Sequence, residues 1–182
     1  LEKFATNVRL SKQIIKLAHR KKLWVQAELG AILGKEGLVK LKTGEINMEE
    51  MMTDPVEAAD FVAQTKVDTL AIAVGTIHGH FKGIEKVDQV RLKKIANLVK
   101  VPLILHGGSG LSAPVFKKAI KNGVSAINID TNLRIAFRNA LKKNINTKTD
   151  MIDPRKILAP STDAMQAEVE KTIKIFGSNN KA

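Results

Sequence analysis

Thr69-Leu70-Ala71-Ile72-Ala73-Val74, followed by Gly75-Thr76-Ile77-His78-Gly79, decides how this chain folds. After Thr69, Leu70 to Val74 form an unbroken apolar run of strand length, and the next five residues a glycine-bounded loop that carries a histidine. Upstream, Asp54-Pro55 has the form of a helix N-cap with proline at the first helical position, opening a helix through Ala63. A helix therefore feeds a strand that ends on polar residues. The same unit recurs on both sides. Leu10, Ile14, Leu17 and Ala18 follow the spacing of one helix face, and Leu23-Trp24-Val25-Gln26-Ala27 then reads as a short buried strand. Leu92, Ile95, Ala96 and Val99 precede a strand from Val101 to Leu105, and Val115, Phe116, Ala119 and Ile120 precede one from Ala126 to Ile129. A last helix is expected near Ala164 to Ile175, with Met165, Val169, Ile173 and Phe176 on one side.

Apolar strands alternating with amphipathic helices build a parallel sheet covered on its faces. A doubly wound sheet and half of an eight-stranded barrel both satisfy this. Polar residues capable of chemistry lie just after all four strands, which is where barrel enzymes keep their sites, so the half barrel is the expected fold. No linker, low-complexity tract or repeat interrupts residues 1–182, which read as a single partial domain.

Composition narrows the function. An apolar content of 44% suffices for a real core and excludes global disorder. No apolar run approaches the roughly 18 to 20 residues of a membrane span, and Leu1-Glu2-Lys3-Phe4 shows neither a signal peptide nor an initiator methionine, so a soluble product lacking its true N-terminus is expected. With no cysteine, disulfide scaffolds, thiolate-bound zinc and thiol nucleophiles are excluded, and any metal must use His and carboxylate ligands. Thirty Lys+Arg against 18 Asp+Glu give +12, which attracts phosphate-bearing partners. The basic residues are spread along helix faces, as at Lys93 and Lys94, Lys117, Lys118 and Lys121, and Lys142 and Lys143; aromatics are 4% and Tyr is absent. A solvated basic surface is therefore favoured over a nucleic-acid face.

The strand ends present, in order, Glu28, the loop around His78, the run His106-Gly107-Gly108-Ser109-Gly110, and Asn128-Ile129-Asp130-Thr131. Histidines after adjacent strands can approach closely enough for a zinc-type ion, with Glu28 as an oxygen ligand. The plainer reading makes each a satisfied polar residue at a strand end. His19 follows from dipole compensation at a helix C-terminus, and His80 favours a non-ligand role. Backbone N–H groups of Gly107-Gly108-Ser109-Gly110, ahead of the lysine-bearing helix, could cradle a phosphate, or the run is a simple left-handed turn. Asp130 or Thr131 reads equally as the cap of a helix from Leu133 to Leu141.

Taken together, Val25-Gln26-Ala27-Glu28-Leu29-Gly30, Gly75-Thr76-Ile77-His78-Gly79, Leu105-His106-Gly107-Gly108-Ser109-Gly110, Asn128-Ile129-Asp130-Thr131 and Asp153-Pro154-Arg155 resemble, in order and approximate spacing, the class II metal-dependent fructose-bisphosphate aldolases. Tagatose-bisphosphate aldolases share all five blocks. The resemblance implies the C-terminal half of a TIM (β/α)8 barrel with parallel strands and an extra C-terminal helix. It implies a cytoplasmic, glycolytic lyase that reversibly cleaves fructose 1,6-bisphosphate into dihydroxyacetone phosphate and glyceraldehyde 3-phosphate, working as a homodimer or homotetramer. By resemblance, His78 and His106 are zinc ligands and Glu28 a carboxylate that approaches the metal; the cofactor is Zn2+ or another divalent cation, with a monovalent cation as an additional option. Glu36 resembles the acid that handles protons at the dihydroxyacetone phosphate carbons, and Asn128 a contact to a substrate hydroxyl or enediolate. Gly79, Gly107, Gly108, Ser109, Asp130 and Thr131 resemble the phosphate-binding set, and Arg155 a phosphate contact donated across a dimer.

Two departures stand out. Leu33-Gly34-Lys35-Glu36-Gly37 replaces the family's usual Gly-Gly pair with its acidic neighbours. The family's first four βα units, with their Asp-His pair and third zinc ligand, have no counterpart here, so residues 1–182 alone are expected to be inactive. The chemistry suits the residues that are present. Breaking a carbon–carbon bond beside a carbonyl generates an enediolate, and with no evident Schiff-base lysine a Lewis acid must stabilise it. A nucleic-acid module lacks helix-turn-helix, zinc-finger or RNP1-like signals, and a non-catalytic scaffold leaves four polar strand ends unexplained.

Overall fold

The structure, a computed structural model, describes residues 3–32, 47–77, 86–147 and 150–181. It divides into two compact units, Leu1–Asn128 and Ile129–Ala182. The first contains a four-stranded sheet of β1 (Gln26–Leu29), β2 (Thr69–Ile72), β3 (Leu103–Leu105) and β4 (Val124–Ile127). All three pairings are parallel, and the spatial order is the sequence order β1-β2-β3-β4. A doubly wound sheet reverses direction at a switch point, whereas a barrel wall adds each strand beside the last, and this sheet shows only the second pattern.

Helices α1 (Phe4–Arg20), α2 (Met48–Met51), α3 (Pro55–Thr65), α4 (Gln89–Leu98) and α5 (Ala113–Lys121) complete the unit. Asp54 caps α3 as the Asp-Pro pair predicts, its carboxylate accepting from the Val56 and Glu57 amides at 2.8 and 3.0 Å. Asp88 does the same for α4. The core lies where these helices meet the central strands. Leu70, Ala71, Ile72, Val74, Phe61, Leu92, Ile95 and Leu105 are all fully buried. Burying a side chain of this kind stabilises by about 1.5–3 kcal/mol, so this cluster outweighs any single polar contact in the unit.

Several expected boundaries shift, β3 starting at Leu103 rather than Val101 and β4 running over Val124–Ile127 rather than Ala126 to Ile129. The first strand runs over Gln26–Leu29 rather than Leu23–Ala27, because Lys22 adopts a left-handed backbone and Leu23 folds back to bond the Ala18 carbonyl. Leu23 and Trp24 are left 57% and 79% exposed. On α1 the buried residues are Val8 and Ile15, while Leu10, Ile14 and Leu17 face solvent, since the helix approaches α3 through the edge-on contact of Phe4 with Phe61. Among the described residues no helix is long and apolar enough to cross a membrane.

The second unit pairs α6 (Thr131–Thr147) with α7 (Pro154–Phe176). The final helix starts ten residues ahead of the expected Ala164, because Asp153-Pro154 is a second cap-and-proline start and Pro160 does not end the helix. A proline inside a helix normally costs about 3 kcal/mol, since the carbonyl four residues back loses its donor. Here Asn144 Nδ2 of α6 donates to the carbonyls of Lys156 and Ile157, at 3.3 and 2.9 Å, and compensates that loss.

Thr53 joins the first two strands beyond the end of their ladder. Its hydroxyl donates to the Leu29 carbonyl at 2.6 Å and accepts the Ala73 amide at 2.9 Å, while its own amide donates to the Ala73 carbonyl at 2.8 Å. Thr53→Val keeps the shape and removes the hydroxyl, leaving one buried donor and one buried acceptor unmatched. A loss of roughly 2–4 kcal/mol in chemical denaturation is the expected result.

At the other end of the sheet, Asp68 accepts from the Val25 amide at 2.7 Å and pairs with His19 Nε2 at 2.9 Å. The His19 hydrogen bond first, and the Val25 amide second, hold the Asp68 carboxyl below its ordinary value. A carboxyl depressed in the fold contributes stability above its unfolded pKa, about 3.9, and loses it as pH falls through the folded value. Asp68→Asn should therefore be less stable than the parent at pH 7, the gap closing below about pH 4 in melts across that range.

Candidate active site

The pleat of β1 sends alternate side chains to opposite faces: Leu29 is buried, while Gln26 and Glu28 are exposed on the other face. Gln26 Nε2 lies 3.2 Å from His106 Nε2, so this face is shared with the residue that follows β3. His106 is half-buried, and Glu28 and His106 thus stand on one side of the sheet, on strands separated only by β2. Asn7 Nδ2 donates to the Glu28 carbonyl at 3.1 Å and Thr53 holds the next one, which fixes the backbone that presents the carboxylate.

Immediately after His106 comes a buried turn. Gly107, Gly108 and Ser109 are all buried, Gly107 and Gly110 have φ of +65° and +96°, and Leu111 N–H closes on the Gly108 carbonyl at 3.2 Å. The turn leads through Ser112 into α5, whose first turn contains Pro114. The left-handed turn and the phosphate cradle offered by the sequence are compatible, because such a turn aims successive N–H groups outward at the start of a helix. Asn128 follows β4, its amide bonded to the Leu105 carbonyl at 2.9 Å, and it is exposed.

Glu28 also lines a hollow of about 180 Å³ together with Glu50, Asp54 and Glu57. That concentration of carboxylates disfavours an anion there.

The remaining expected residues belong to the second unit or lie outside the described residues. Asp130 and Thr131 begin the second unit. The Asp130 carbonyl accepts the Leu133 and Arg134 amides, as a cap residue does, and its carboxylate bonds Arg134 Nε at 2.9 Å. Arg155 opens α7 with its guanidinium 90% exposed and paired to Asp153 at 3.0 Å. This pairing holds the Asp153 carboxyl below its ordinary range and raises Arg155. His78, Gly79, His80 and Glu36 lie outside the described residues. Among the described residues no group of three or more His, Asp or Glu is placed to hold a metal ion. The donors that are present, imidazole at His106 and carboxylate at Glu28, suit a zinc-type divalent ion.

Sequence reasoning passed over Gln26 and Thr53. Gln26 carries a legible signal, a polar side chain two positions before Glu28 and hence on the same face. Thr53 carries none, since its role depends on meeting Leu29 and Ala73 across long stretches of chain.

Comparison with known proteins adds the following. The family model described as fructose-bisphosphate aldolase class-II matches residues 1–181. The chain is 37% identical over 179 residues to a fructose-bisphosphate aldolase of Geobacillus stearothermophilus, covering 98% of this chain and 60% of that protein. It is 35% identical over 204 residues to one of Thermus caldophilus, covering 100% and 66%. The crystal structure of the YdjI aldolase from Escherichia coli K12 superposes with a TM-score of 0.77 at 31% identity, over 100% of this chain and 58% of that one. A crystal structure from Coccidioides immitis gives 0.81 at 30%, over 99% and 61%. The chain therefore spans about 60% of the length of the first of these relatives, and its four parallel strands correspond to part of their TIM barrel.

Gly107 supplies a direct test of the turn. A Cβ at this position would lie 2.9 Å from the Ile77 carbonyl oxygen and 3.1 Å from the Ile77 amide nitrogen, and the positive φ already disfavours any side chain. Gly107→Ala should lower the unfolding free energy by about 1–2 kcal/mol from backbone strain alone.

Proposed function

The chain belongs to the class II fructose-bisphosphate aldolases, a metal-dependent family, and from that premise we propose that the protein it forms cleaves fructose 1,6-bisphosphate reversibly, using zinc. Residues 1–182 are read as the C-terminal half of its barrel, in a cytoplasmic glycolytic enzyme. The observation that carries the proposal is the succession after β3. His106 stands on the face it shares with Glu28, and the next three residues form the buried glycine turn.

In this reading His106 and Glu28 hold the ion, with His78. When bound, a divalent ion supplies Lewis-acid stabilisation of the negative charge that develops beside the substrate carbonyl. The Gly107–Ser109 backbone and the Ser109 hydroxyl grip a phosphate, anchoring the substrate by a group that does not react and aligning the bond to be broken. Asn128, exposed at the end of β4, contacts a substrate hydroxyl, and Glu36 handles the proton at the dihydroxyacetone phosphate carbon. Asp130, Thr131 and Arg155 contribute further phosphate contacts. Arg155 would exchange its pairing with Asp153 for the substrate, donated between subunits of a dimer or tetramer.

The native protein should contain a stoichiometric divalent ion and cleave fructose 1,6-bisphosphate faster than tagatose 1,6-bisphosphate. His106→Ala should lose the ion and lower turnover on the order of 100-fold or more, the scale of losing a central electrostatic stabiliser. Ser109→Ala should raise KM and leave metal content unchanged. A metal-free parent with full activity, or a His106→Ala protein that keeps both ion and turnover, would sink the reading.

A further inference from the structure

Gln26 makes a polar contact to His106 that the proposed reaction leaves without a role. Its carboxamide reaches past β2 to lie 3.2 Å from Nε2 of the imidazole, between residues 80 positions apart in sequence. Gln26 is exposed, so the contact does not arise from core packing. A carboxamide differs from every charged side chain in that it can donate through nitrogen or accept through oxygen. It can therefore hold Nε2 in either protonation state, simply by turning over.

A histidine that binds a metal through one ring nitrogen characteristically has the other held by a hydrogen-bonding group, which fixes the tautomer and the ring plane. We infer that Gln26 is the positioning residue of His106, holding Nε2 and so making Nδ1 the nitrogen presented to a divalent cation. This rests on the reading of His106 as a metal ligand. With the carboxamide nitrogen facing Nε2 at 3.2 Å, the Gln26 amide would donate to Nε2 and leave the ring proton on Nδ1. Ligation through Nδ1 would pass that proton to water while Nε2 took one up from it, and the carboxamide would turn to offer its oxygen. Leucine at this position can serve neither state, and glutamate can serve only the second.

The test uses the native protein with 15N-labelled histidine, in metal-free and zinc-loaded forms, with Gln26→Leu and Gln26→Glu. Long-range 1H–15N correlation reads the His106 tautomer, and competition with a chromophoric chelator reads the zinc Kd. The metal-free parent should carry its His106 proton on Nδ1, and the zinc form on Nε2. Gln26→Leu should move the metal-free ring toward the Nε2–H tautomer and raise the zinc Kd by about 10- to 100-fold, the usual consequence of losing such a partner. Gln26→Glu should restore the parent Kd or better it, a rescue that a purely structural role would not produce. Zinc found on Nε2, or a Gln26→Leu protein whose Kd and tautomer match the parent, overturns the inference and leaves the metal reading standing. A parent that takes up no divalent ion overturns both.

Discussion

The hydroxyl of Thr53 takes over where the ladder between the first two strands stops. The pairing ends at Leu29 and Ile72, and one residue further on the strands would part with a carbonyl and an amide unmatched in a dry environment. Thr53 supplies both missing partners from a loop that is itself tied down, by Ala31 N–H on the Met51 carbonyl and by Arg91 Nη1 on the Thr53 carbonyl at 3.2 Å. Gly30 makes room for it, since a Cβ there would sit 2.7 Å from Ala73 Cβ and 2.9 Å from the Thr53 hydroxyl. Everything at the mouth of the first two strands inherits its position from this clasp. Glu28 lies one residue before the held carbonyl, and the chain beyond Ala73 leads to the glycine and histidine of the next loop.

Which face of the sheet is dry decides where polar side chains can stand. Leu29 and the central strand are buried against the helices, whereas Gln26, Glu28, Ala126 and Asn128 lie on exposed positions. Polar groups can persist there without the desolvation cost of a core site. The same openness leaves His106 only half-buried and reachable by a ligand.

How far the sequence is legible depends on the range of the interactions involved. Caps are local, so Asp54-Pro55 announces α3 with the right first residue, and the continuous apolar run around Leu70 to Ile72 announces a strand buried on both faces. The start of β1 was misplaced because a left-handed Lys22 is not written in any apolar pattern, and Leu23 and Trp24 look like strand residues by composition. The length of α7 was hidden because Pro160 reads as a stop unless one knows that Asn144 lies opposite. The placement of Glu28, His106 and the glycine turn near strand ends was readable from the strand pattern. The pairing of Gln26 with His106 was not, since it depends on strands that meet only through the one between them.

The same Asn144 has a consequence for the helical pair. Among the described residues of α6 and α7, only Asn144 and Ser161 are classed as buried, and no large apolar side chain is. A seam of half-exposed aliphatic side chains tolerates sliding, because one greasy neighbour serves nearly as well as the next. An amide that must meet two consecutive carbonyls does not. Displacing α7 by one turn, about 5.4 Å, would leave the amide facing backbone groups already engaged and the proline-freed carbonyl stranded. The blemish that Pro160 introduces thus works as a keyway, and the two helices mesh in a single phase.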